Sequence, residues 1–125
     1  MAKLEARGHL AVARRHLDRV QSAWDDPTDW DDLSLYGFYC LEAAVMAAVA
    51  QFGWTTRSQH PDKVRAARRL AEHHGLPDIE ELLVDLNDAR KSSAYGDIDM
   101  PDINAEDVAI QIERYVDAVA ALIGA

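Results

Sequence analysis

From Leu33 to Phe52 the chain is almost continuously apolar, and Ser34, Glu42 and Gln51 are its only strongly polar side chains. A run of this length either crosses a bilayer or forms the buried centre of a helical domain. Its richness in alanine and the ionisable Glu42 near its middle favour the second, because a carboxylate in hydrocarbon is costly. A buried central helix is therefore expected, with no membrane partner.

The rest of the chain must wrap that helix. Only 6 glycines and 4 prolines punctuate 125 residues, and no segment alternates apolar and polar side chains long enough to make a strand. An all-α fold follows, an antiparallel bundle of four to five helices spanning 1–125 as one domain. With 49% of residues apolar, one core can close without a staple. The single cysteine, Cys40, rules out an internal disulfide framework and a multi-cysteine zinc site, and it suits a reducing, cytoplasmic setting. Residues 1–10 lack the apolar run of a signal peptide.

Local signals set the helix boundaries. Ala6, Leu10, Ala13, Leu17, Val20 and Trp24 form a stripe of four-three spacing on a first helix, which must stop near Asp25-Asp26-Pro27. Thr28 is expected to cap the second helix, with Asp29, Asp31 and Asp32 complementing its dipole, and Gly53 to end it. Pro61 opens a third helix that reaches His74 before Gly75 and Pro77. Asp78 and Glu81 have the spacing of a capping box for a fourth, expected to run to about Ser93. Asn104 caps a fifth, on which Val108, Ile112, Tyr115, Val119 and Leu122 share a face. Trp24, Trp30 and Trp54 are expected mostly in the core.

Thirteen basic against 22 acidic residues leave a formal charge of −9, which argues against general coating of a polyanion. The charge is uneven. Arg57, Lys63, Arg65, Arg68 and Arg69 face Asp62 alone within 57–69, whereas 70–125 is strongly acidic. Pairing of this basic helix with the acidic fourth and fifth helices is the simpler reading, and phosphate steering the sharper one.

One residue breaks its pattern. On the fourth helix Ile79, Leu82, Leu83 and Leu86 form an apolar stripe, and Arg90 falls within about 20° of its centre. A guanidinium cannot shed its charge, so Arg90 needs an anion or a polar cleft. Glu42 is the expected partner in a buried ion pair. The five histidines show no zinc spacing and no catalytic triad is legible, so neither a metal nor another cofactor is expected.

Three segments together resemble the HEPN family, small helical domains of prokaryotic toxin–antitoxin and defence systems. They are Leu35 to Ala44, the loop and third helix with His60 before an arginine-rich stretch, and Leu86 to Gly96. The family's ribonucleases carry an Arg, four to six residues and a His. Arg90-Lys91-Ser92-Ser93-Ala94-Tyr95 keeps the Arg, the spacing and the Ala, but ends in Tyr. The resemblance implies a homodimer whose facing fourth helices build a metal-independent endoribonuclease site, in which Arg stabilises the scissile phosphate and His assists attack by the 2′-hydroxyl. It places Arg90 and Tyr95 as catalytic residues and Glu42, Lys91, Ser92 and Ser93 as orienting or substrate-binding ones.

Tyrosine, with an ordinary pKa near 10, is a poor base at neutral pH. Activity weakened or lost is therefore expected. On an unbroken helix Tyr95 also points about 140° from Arg90, so their cooperation requires the helix to end near Ser93. The alternative is a non-catalytic dimeric module that binds a partner such as a nucleotidyltransferase, rather than an RNA substrate.

Overall fold

The structure is a computed structural model that describes residues 3–57, 59–96 and 99–125. Among these residues five helices follow one another: α1 (Leu4–Ala23), α2 (Trp30–Phe52), α3 (His60–His74), α4 (Glu80–Tyr95) and α5 (Ala105–Ile123). No strand occurs among the described residues.

The apolar run is the centre of the bundle. α2 packs against each of the other four helices, and Leu33, Phe38, Leu41, Val45 and Val49 are buried along it. It is long and apolar enough to cross a membrane, but 72% of that window is covered by the rest of the fold. Each fully buried leucine or phenylalanine adds about 1.5–3 kcal/mol by leaving water. Where α2 meets α4 and α5, a Cβ on Gly37 would sit 2.9 Å from Ile112 Cδ1 and 3.5 Å from Leu86 Cδ1. Hydrogen here, in place of a side chain, lets three helices converge.

α1 and α2 run antiparallel. Lys3 N donates to Gln51 Oε1 at 2.9 Å, Cys40 Sγ to the Ala13 carbonyl at 3.2 Å, and Arg19 to the Tyr36 hydroxyl at 3.1 Å, so partners descend along α2 as they ascend along α1. The expected stripe is the contact surface: Ala6, Leu10, Ala13 and Val20 are buried, and Leu17 and Trp24 pack at its margin. Burial pushes the Cys40 thiol up to about 12, leaving it an inert core group.

The caps differ from expectation at two helices. Thr28 donates its hydroxyl to the Trp24 carbonyl, so Asp29 caps α2 by accepting from Asp32 N at 3.0 Å. Asp78 accepts from Glu80 N, two residues on, and the N-cap of α4 is Ile79 with no side-chain cap, so no capping box forms. Asn104 caps α5 as expected by accepting from Asp107 N. Gly53, Gly75, Gly96 and Gly124 close their helices with positive φ. Trp24, Trp30 and Trp54 lie half-buried at the edge of the core.

Candidate functional site

Glu42 is the one acidic side chain within the apolar stretch of α2, and it is 5% exposed. A carboxylate so placed must be met by donors. α3 supplies both. His60 Nδ1 lies 2.5 Å from Glu42 Oε2, and Lys63 Nζ lies 3.6 Å from Oε1. His60 is the first residue of α3 with Pro61 next to it, and Lys63 follows three positions on, so both project from one side of the first turn. The pairing of Glu42 with Arg90 expected from the sequence is not formed, because α3 lies across the carboxylate and satisfies it.

A carboxylate flanked by an ammonium accepts, so Nδ1 of His60 is the donor, and in the neutral ring this tautomer leaves the lone pair on Nε2. The His60 side chain is 45% exposed, with Glu42 holding it from behind. It opens into a cleft of about 450 Å³ between α1, α2 and α3, lined also by His9, His16, Tyr39 and Met46. Burial, and then the charge of Arg15, lower the pKa of His16.

Arg90 comes from α4 to the Phe38 ring and does not line that cleft. Its Nη2 donates to Asn87 Oδ1 at 2.7 Å, and its guanidinium carbon is 5.3 Å from the centre of the Phe38 ring. The His60 ring sits against the same phenylalanine, edge to face, with centroids 5.0 Å apart. Arg90 and His60 are therefore no farther apart than the sum of those distances. Arg90 is half-buried, neither sealed in the core nor extended into bulk water. Its Nε is buried and meets no acceptor among the described residues.

The other predicted residues separate from this pair. α4 continues through Ser93 to Tyr95, where Gly96 ends it by donating to the Ser92 carbonyl at 2.9 Å. The helix does not stop early, so Tyr95 points about 140° from Arg90 and is 74% exposed. The expected Arg90–Tyr95 constellation is not assembled within one chain. Lys91 and Ser92 are half-buried and Ser93 is exposed. Val84, Asp88, Lys91 and Tyr95 recur at helical spacing on one outward face, and Val84 is 50% exposed.

Phe38, His60, Lys63 and Asn87 were not assigned roles from the sequence. Two signals were available: a lone acid in an apolar helix requires a partner, and a histidine just before the proline of a basic helix is well placed to be one. Among the described residues no three His, Cys, Asp or Glu side chains gather as a metal-ligand set.

The basic helix is partly neutralised at home. Arg65 pairs with Asp62, Arg68 with Glu80 of α4 and Lys63 with Glu42. The Arg68 hydrogen bond holds the Glu80 carboxyl below its ordinary range. Set beside models of protein families and beside curated proteins, the chain matches none of them.

Proposed function

We propose that the protein is a HEPN-like domain of the toxin–antitoxin or defence type that works on RNA as a homodimer, with His60 taking the part of the histidine that position 95 lacks. The observation that carries this reading is the placement of a carboxylate-oriented imidazole and a half-buried guanidinium against one ring, Phe38. That is the equipment of phosphodiester transesterification: a base for the nucleophile and a cation for the phosphate.

In this chemistry Nε2 of His60 takes the proton of a ribose 2′-hydroxyl, and the oxygen attacks the adjacent phosphorus. The bond from phosphorus to the 5′-oxygen breaks, leaving a 2′,3′-cyclic phosphate, and the departing alkoxide takes a proton from water. His60 returns its proton to solvent, so the balance closes. Glu42 is a positioning residue that fixes the histidine tautomer, and Arg90 binds the phosphate oxygens. Tyr95 lies on the outward face of α4, where facing fourth helices of a homodimer would place it at the subunit contact.

The test is cleavage of single-stranded RNA by the purified protein in the presence of a chelator. His60→Gln and Arg90→Gln are each expected to lower the rate by about 10²-fold or more, while Tyr95→Phe retains it. If the wild-type protein cuts no RNA, or the His60 variant cuts as fast, the catalytic reading fails. Co-purification with a nucleotidyltransferase-type partner, without cleavage, would instead establish the non-catalytic module.

A further inference from the structure

α3 has a second polar face. Asp62, Arg65 and Arg69 fall within about 60° of one another on the helix, on the side roughly opposite His60. With Trp54, Thr55, Thr56 and Arg57 from the α2–α3 connection they line a separate cleft of about 270 Å³, close to the lower end of small-ligand sites at about 300 Å³.

Its electrostatics run against those of the whole chain. Arg57, Arg65 and Arg69 against Asp62 leave two positive charges in this cleft, in a protein of formal charge −9. Asp62 is engaged by Arg65. Arg57 and Arg69 have no carboxylate partner among the described residues, unlike Arg68 and Lys63 on the same helix. The Arg69 guanidinium lies 3.8 Å over the Trp54 ring, and Trp54 is backed in turn by Phe52 at 5.4 Å. Stacking holds the planar fork in place and leaves its edge donors free, which lowers the entropy lost on binding an oxyanion. Thr55 and Thr56 complete the wall, and the Thr56 hydroxyl donates to the Arg57 carbonyl at 3.4 Å.

We infer that this cleft binds a terminal phosphate group, the phosphomonoester of a nucleotide or of an RNA end. A phosphomonoester carries a charge near −2 at neutral pH and offers three acceptor oxygens, which matches the two uncompensated charges. A backbone phosphodiester carries one charge and would leave a guanidinium unanswered. The inference stands apart from the His60 site, since none of the residues that carry it belongs to that site.

Calorimetric titration of the whole protein with inorganic phosphate, adenosine 5′-monophosphate, and short RNA bearing either a 5′-phosphate or a 5′-hydroxyl tests it. Phosphate and the nucleotide are expected to bind, and Arg57→Ala or Arg69→Ala to weaken nucleotide binding about tenfold or more. Arg69→Lys, which keeps the charge but not the stacked fork, is expected to recover part of that loss. Arg68→Ala should leave it unchanged. A preference for 5′-phosphorylated over 5′-hydroxyl RNA identifies an RNA end as the source, whereas binding of the free nucleotide alone identifies the mononucleotide. Absence of binding by phosphate and nucleotide, or binding that the Arg57 and Arg69 substitutions do not alter, overturns the assignment. RNA cleavage failing on its own does not.

Discussion

Replacing Glu42 by glutamine keeps the shape of the side chain and removes its charge. The carboxylate is nearly buried and holds two cationic or proton-donating partners, His60 at 2.5 Å and Lys63 at 3.6 Å. Hydrogen bonds to a charged group contribute about 1.5–3 kcal/mol and neutral ones about 0.5–1.5 kcal/mol, so the His60 contact loses about 1 kcal/mol. Lys63, 17% exposed at its side chain, loses this ionic partner but can turn toward water, which limits its share to about another 1 kcal/mol. A total near 2 kcal/mol corresponds to a fall of about 1 M in the urea midpoint, with the slope unchanged. The assay is urea unfolding followed by tryptophan fluorescence, on Glu42→Gln, Lys63→Met and the double variant. A coupling energy of about 1 kcal/mol between the two positions is expected. If the singles add without coupling, Lys63 does not hold the carboxylate, and the α2–α3 site as described here is wrong.

Three further outcomes are expected. Tyr115 is fully buried and its hydroxyl meets no acceptor among the described residues, so Tyr115→Phe should raise unfolding free energy by about 1 kcal/mol; a clear loss in urea titration would show that the hydroxyl is satisfied. Gly8 in α1 has nothing within 4 Å of a built Cβ, so Gly8→Ala should stabilise by about 0.5–1 kcal/mol. At Gly37 the same gain meets Ile112 Cδ1 at 2.9 Å, and thermal melts should rank Gly37→Ala below Gly8→Ala. His16, whose pKa burial lowers from the ordinary 6.5, is favoured neutral in the fold. The unfolded chain then binds more protons, so this contribution is complete above about pH 6.5 and is lost as pH falls from there through the lowered folded value. His16→Gln should flatten that limb of the stability-against-pH curve, and an unchanged slope would place the effect elsewhere.

Helix boundaries and buried faces were legible in the sequence because their causes act over a few residues. Pro27, Gly53, Pro61, Gly75 and Asn104 punctuate the chain through their own backbone preferences and hydrogen bonds, and a stripe such as Val108, Ile112, Tyr115 and Val119 is visible in spacing alone. Arg90 stood out for the same reason, as a charge at an apolar position. What the sequence left open was pairing between helices. Glu42 clearly needed a partner, but whether Arg90 or His60 reached it depended on where α3 crosses α2, a question of helix rotation and packing rather than of local pattern. The end of α4 was equally undecided: Ser93 and Gly96 are both credible stops, and only the capped conformation at Gly96 carries the helix through Tyr95 and turns that side chain from Arg90. Composition and periodicity thus determined an all-helical bundle around α2, while the tertiary structure decided which polar groups share a site, because those contacts join side chains distant in the chain and sensitive to a single helix's rotation.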